Sequence, residues 1–147
     1  MQDARTIGLA FSFTLVAFVV LDAAWLMLVA VPMFQSQLGV ILRPEPMLGA
    51  AIALYPIYSF GLVALAVRPA LAARSIWTAA VNGAVLGVTA YATFDLTNLA
   101  VIKGWTIGLA ATDITWGVIV SAVAAMAGTF AGLRAQTATP SSSEARS

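Results

Sequence analysis

The sequence predicts an all-α membrane protein: four transmembrane helices in an antiparallel up-down bundle. Three observations lead there. Apolar residues make up 61% of the 147 and charged ones only 9%, against about 25% charged in an ordinary globular chain. The apolar residues gather in four runs, each long enough to cross a hydrocarbon layer about 30 Å thick. The connections between runs are short and carry the Pro, Gly and charged residues, so each run must turn back beside the last. Folded in water, a chain of this size could not hide so much apolar surface. Lipid is its natural solvent.

The first run covers residues 7–31 and holds one charge, Asp22. It is too long for a signal-peptide core and its flank (Asp3, Arg5) is barely basic, so it reads as a retained helix. Residues 32–46 read as a polar connection closed by Arg43-Pro44-Glu45-Pro46, with 40–42 lying along the interface. The second run, 47–67, contains Tyr55-Pro56-Ile57-Tyr58; Pro56 predicts a kink, and Arg68-Pro69 an end. After a short basic link, Trp77 opens the third run, 77–102, in the manner of an interface anchor. Lys103-Gly104-Trp105-Thr106 makes a tight turn into the fourth run, 109–133. Trp105 reads as a second interface anchor, and Lys103 as a side chain that reaches for the surface. Residues 1–134 thus form one transmembrane domain, and 135–147 (Thr, Pro, Ser, Glu) a disordered tail.

Several function classes are excluded or weakened. A net charge of +1 without a basic cluster leaves no footing for nucleic acid. With no Cys and no His there is no disulfide, thiolate nucleophile, imidazole relay or His-held metal or haem, and no cofactor is expected. Arg5, Arg68, Arg74 and Arg134 fall on one side of the bundle and Arg43 and Lys103 on the other. The positive-inside rule then puts both termini in the cytoplasm.

Against this apolar background the polar residues stand out. Tyr91, Asp95 and Asn98 follow i, i+4, i+7 on the third run, with Thr97 beside them. Asp22 lies roughly 13 Å below the end of its run and Asp95 roughly 10 Å below its own, at 1.5 Å per residue. Asp113, near the start of a run in the opposite direction, comes to a similar level, as do Tyr55 and Tyr58. An ionisable side chain at such depth costs about 2.5–3.5 kcal/mol on insertion scales, so it needs a partner or a purpose. Asp22-Ala23-Ala24-Trp25 and Asp113-Ile114-Thr115-Trp116 repeat a D-x-x-W spacing that sets indole and carboxyl on one face. The repeat is either coincidence or the trace of an inverted duplication. Each acid also has a plain structural reading. Asp113, preceded by Thr112, could cap the fourth helix. Asp22 could be an acid satisfied by Tyr or Trp donors, and Asp95 with Asn98 a polar clasp that fixes helix order. Gly83 and Gly87, and Gly128 and Gly132, form G-x-x-x-G pairs; with Gly117, Ser121 and Ala124 they favour close helix packing inside the bundle over contact between copies.

The set Leu21-Asp22-Ala23-Ala24-Trp25-Leu26, Tyr55 with Tyr58, Val67-Arg68-Pro69-Ala70-Leu71, the block from Tyr91 to Ala100 with its Asp95-Leu96-Thr97-Asn98 core, and Asp113-Ile114-Thr115-Trp116-Gly117 resembles the family of small bacterial membrane proteins called domain of unknown function 2177. The match runs in order from the first helix to about Leu133. The resemblance implies a multi-pass protein of the bacterial inner membrane and adds no mechanism. Relative to the family pattern, Phe94 stands where a tyrosine is common, which removes a phenol from that spot. Pro56 between the two tyrosines is a second departure.

Three functions remain. The first is an accessory or structural membrane subunit whose polar layer specifies helix order and a membrane-protein partner. The second is a small proton- or cation-coupled transporter or channel; four helices are few for a pore, so it would be a homo-oligomer. The third is an enzyme on a lipid substrate using paired carboxyls as acid and base; the absence of His, Cys, a nucleophile elbow and a phosphate loop weighs against it. The candidate residues are Asp22, Trp25, Tyr55, Tyr58, Tyr91, Asp95, Thr97, Asn98, Asp113 and Trp116.

Overall fold

The computed structural model describes residues 3–39 and 41–137. They form four helices long and apolar enough to cross a membrane: α1 (Ala4–Leu38), α2 (Leu48–Ala73), α3 (Ile76–Val101) and α4 (Ile107–Thr137). There is no strand among the described residues. Asp3 starts α1 by accepting the Thr6 N–H at 2.8 Å, and Ser75 starts α3 by accepting that of Thr78 at 3.2 Å. Thr106 starts α4, its hydroxyl oxygen accepting the Leu109 N–H at 3.1 Å. Gly104, at φ +100°, supplies the backbone for the α3–α4 turn.

Two helices run past the prolines expected to end them. α1 continues through Pro32 to Leu38, and α2 through Pro69 to Ala73. In both cases a π-helical turn comes just before the proline: Leu26–Ala30 in α1 and Val63–Val67 in α2. The Val31 N–H bonds back to the Leu26 carbonyl, and the Arg68 N–H to that of Val63, each skipping an extra residue. The wider turn shifts the carbonyl that the proline ring would otherwise strike, so the helix is re-registered and not broken. α2 likewise stays helical through Pro56. At the far end, α4 runs three residues beyond the expected boundary because Ala135 is still buried. The rest of the expected tail, from residue 138, and Val40 of the expected interfacial stretch lie outside the described residues.

α4 is the central element. It packs along α3 and α1, and its small residues set the spacing. A Cβ added at Gly83 or Gly87 of α3 would run into the α4 backbone at Ser121 or Gly117. One added at Gly128 would strike the Thr14 hydroxyl of α1, and one at Gly132 the Leu71 side chain of α2. The glycines therefore serve packing within the bundle. α1 turns one face inward at four-residue spacing: Thr6, Ala10, Thr14, Phe18 and Asp22. α3 does the same with Ala79, Gly83, Gly87 and Asp95. α2 is the peripheral helix. Its first half stands off the bundle with residues 48–54 exposed, and its second half packs through Leu62, Val63, Ala66 and Val67.

The end of α1 leans over the bundle. From Trp25 to Gln37 the helix rises about 18 Å, yet α4 rises only about 10 Å from Asp113 to Thr106. Trp25 meets Asp113, and Gln37 meets Thr106 at 2.6 Å. Both contacts hold only if the last turns of α1 cross the bundle end obliquely. Phe34 and Phe94 then flank Trp105, at 5.7 and 5.6 Å between ring centroids. Trp105 is thus a wedge between α1 and α3, not the lipid anchor the sequence suggested. Trp77 is 77% exposed, as an anchor would be.

Candidate functional site

Three carboxyls from three helices converge beneath that overhang. Asp22, Asp95 and Asp113 are 6%, 0% and 8% exposed. Asp22 and Asp113 are bound into a reciprocal arrangement with the two tryptophans three residues further along each helix. The Trp116 indole N–H donates to Asp22 Oδ1 at 3.2 Å, and that of Trp25 to Asp113 Oδ1 at 3.4 Å. The two indole rings stack with centroids 4.7 Å apart and planes within 7°. The Tyr55 hydroxyl donates to the second Asp22 oxygen at 3.3 Å. Asp22 therefore has a donor on each oxygen, as its structural reading required.

Asp113 is not a helix cap. Thr106 fills that role, and Asp113 sits a turn and a half inside α4, facing α1 and α3. Asp95 differs from both. It is fully enclosed and neither of its oxygens has a hydrogen-bond partner. Asp113 and the Trp105 indole are the groups facing it, and the Trp105 N–H is itself without an acceptor. The clasp with Asn98 is not formed; Asn98 is half-buried, and Thr97 is exposed on the outer surface of α3.

Tyrosines line the floor. The Tyr58 hydroxyl and Ser121 Oγ share a hydrogen bond at 2.8 Å, and the Phe18 ring stacks on Tyr58 at 4.9 Å and meets Tyr55 edge-on at 5.8 Å. Tyr91 meets the edge of Tyr58 at 6.3 Å and lies flat against Gly117, where any Cβ would overlap its ring. Above this floor is a cavity of about 350 Å³ walled by all four helices, with Asp22, Trp25, Tyr58, Tyr91 and Asp113 in its lining. Leu26 and Ala30, at the two ends of the α1 π-turn, complete one wall. Among the described residues the acids do not close into a metal-holding set.

The family model described as "Predicted membrane protein (DUF2177)" matches residues 7–130. The chain belongs to the DUF2177 family. No curated protein and no solved structure is similar enough to this DUF2177 member to count as a match. The matched region contains every residue of the acid layer and of the cavity wall.

Of the candidate residues, the structure brings together Asp22, Trp25, Tyr55, Tyr58, Tyr91, Asp95, Asp113 and Trp116, and leaves Thr97 outside and Asn98 unengaged. Sequence reasoning passed over Phe18, Phe34 and Trp105 as parts of this layer. Phe18 was open to discovery, since it falls four residues before Asp22 on the buried stripe of α1. Phe34 had no signal, because it follows a proline in what reads as a connection.

Proposed function

We propose that the chain is a small proton- or cation-coupled membrane transporter, with Asp22, Asp95 and Asp113 as its ion-binding group. The observation that carries this reading is Asp95: a carboxyl with no exposure and no hydrogen-bond partner, beside the carboxyl of Asp113. A bundle that needed only stability would gain by replacing it with an apolar side chain. Several acids in one buried layer call for positive charge, supplied by protons or by a cation, and exchange between the two is the elementary step of coupled transport. All four helices contribute to one cavity, so a single bundle suffices as a carrier where it would be too narrow for a pore. The excess of Arg at the end bearing the termini supports cytoplasmic termini in a bacterial inner membrane.

The test is flux in proteoliposomes under an imposed pH gradient, with sodium, potassium or an organic cation as the counter-ion. Proton flux that depends on the counter-ion and is lost in Asp95→Asn supports the reading. Equal flux in wild type and Asp95→Asn for every counter-ion removes it.

A second reading rests on the tryptophan clasp, which gives Asp22 and Asp113 structural partners. On that basis the chain would be an accessory subunit whose polar layer fixes helix order. Purification in mild detergent decides: a stoichiometric companion protein favours this reading, and a single species counts against it.

A further inference from the structure

We propose that the cavity walled by the four helices is a binding site for an organic cation with an apolar body, admitted sideways from the bilayer between α2 and α3. This names a substrate class for the transport reading above and rests on that reading for its use.

The volume comes first. About 350 Å³ lies within the range of small-molecule pockets, roughly 300–1,000 Å³. The walls come next. Six aromatic rings, those of Phe18, Trp25, Phe34, Tyr58, Tyr91 and Phe94, face the space, together with small aliphatic side chains. Such rings attract a cation through their faces while burying its apolar body.

Charge then selects the sign. The lining holds two carboxyls, Asp22 and Asp113, and neither Lys nor Arg. Asp113 takes one indole N–H, from Trp25 on Oδ1, and lines the cavity beside Asp95. Asp95, fully buried and unpartnered, stands beside it. An acyl chain in this space would leave those acids uncompensated, whereas a cation answers them.

The opening selects the body. Leu54 and Phe94, 51% and 52% exposed, form the rim where the first half of α2 stands off the bundle. Both lie within long apolar helices, roughly 10 Å in from the ends at Leu48 and Val101, so the rim faces the outer part of the hydrocarbon. A hydrated inorganic ion pays its full desolvation to pass such a rim, whereas a cation wrapped in apolar groups pays little. The π-turn of α1 borders the same space, and such turns gather at functional sites.

The experiment is equilibrium dialysis of the purified protein in detergent with two probes, tetraphenylphosphonium and tetrabutylammonium. Triphenylphosphine oxide serves as the neutral comparator. Wild type should bind at least one cation and hold the neutral compound far more weakly. Asp113→Asn and Asp22→Asn should each weaken cation binding about tenfold or more, as loss of one partner of a desolvated charge pair does. Ala90→Phe fills the cavity while keeping both acids in the sequence; it should abolish binding while leaving the unfolding temperature close to wild type.

Binding of neither cation, equal binding of the neutral comparator, or unchanged binding in Ala90→Phe overturns the proposal. If an aspartate variant fails to fold, the comparator and Ala90→Phe still decide. Cation binding without flux that depends on Asp95 would keep this site and remove the transport reading. Asp95-dependent flux without cation binding would do the reverse.

Discussion

Trp25 and Trp116 stack face to face at 4.7 Å, and each donates its indole N–H to the aspartate three residues before the other. Because α1 and α4 are antiparallel, the two D-x-x-W segments are related by a local two-fold axis through the stacked rings. A slip of either helix by one residue would part both hydrogen bonds and the stack together. The clasp therefore fixes the register of α1 on α4 and holds two of the three acids at one level. Trp25→Phe and Trp116→Phe should each lower stability by about 1–2 kcal/mol, from a lost hydrogen bond inside the bundle and a weaker stack. The double variant should lose less than the sum, with a coupling of about 0.5–1.5 kcal/mol. Unfolding of the four proteins in detergent measures this, and strict additivity would mean that the clasp is not one unit.

Glycines on three of the helices predict a sharp contrast. A Cβ at Gly117 would overlap the Tyr91 ring, and one at Gly87 would strike the Gly117 carbonyl, where only backbone could give way. At Gly8 nothing lies within 4 Å. Gly117→Ala and Gly87→Ala should destabilise by about 1–3 kcal/mol through overpacking. Gly8→Ala should be neutral or slightly stabilising, as alanine is the better helix former. Unfolding temperatures in one detergent compare all three, and a Gly8-like result at Gly117 would contradict the close approach of α3 to α4.

The helices could be read in sequence because lipid tolerates so few ways of crossing it. The runs around Asp22, Tyr58, Asp95 and Asp113 are apolar almost without interruption, and the acids are conspicuous for that reason. What could not be read is where helices override their punctuation. Pro32 and Pro69 look like stops, and the π-turns that carry α1 and α2 past them are backbone events with no residue signature. Losing residues 32–38 from α1 also hid Phe34 and its contact with Trp105. Partner choice was only half legible. The i+3 spacing from Asp95 to Asn98 suggested a local clasp, but the Asp95 carboxyl faces Asp113 and Trp105 and takes no hydrogen bond from Asn98. The Asp22–Trp116 and Asp113–Trp25 pairs cross between helices, and spacing along one chain carries no record of that.

Outside the membrane, Asp3 gives a pH prediction. The Thr6 side chain, and after it the Thr6 backbone N–H, holds the Asp3 carboxyl below its ordinary range by bonding the ionised form. A carboxyl depressed on folding contributes stability above its unfolded pKa of about 3.9 and loses that contribution as pH falls through the lower folded value. The first turn of α1 should therefore fray in acid. Hydrogen exchange at the Thr6 amide, corrected for the intrinsic rate, should accelerate below about pH 4 in wild type. Asp3→Asn keeps a capping oxygen that does not titrate, so its protection should stay flat across the same range. Parallel curves for the two proteins would dismiss the cap as the cause.

The last prediction separates the acids by what the fold gives them. Asp22 receives a donor on each oxygen, whereas Asp95 receives none while fully enclosed. Replacing Asp22 by Leu strands the Trp116 N–H and the Tyr55 hydroxyl, and should cost about 1–3 kcal/mol. Replacing Asp95 by Leu strands no donor bonded to it and removes a desolvated polar group. Stability should hold or rise by about 1 kcal/mol or more, as when a buried polar group gives way to an apolar one of similar size. Unfolding of Asp22→Leu and Asp95→Leu in the same detergent reads the difference. A stable Asp95→Leu protein that no longer couples proton flux would identify Asp95 as a residue retained at the expense of the fold. A protein that unravels on losing Asp95 would instead make that carboxyl part of the scaffold, and the transport reading would lose the observation it stands on.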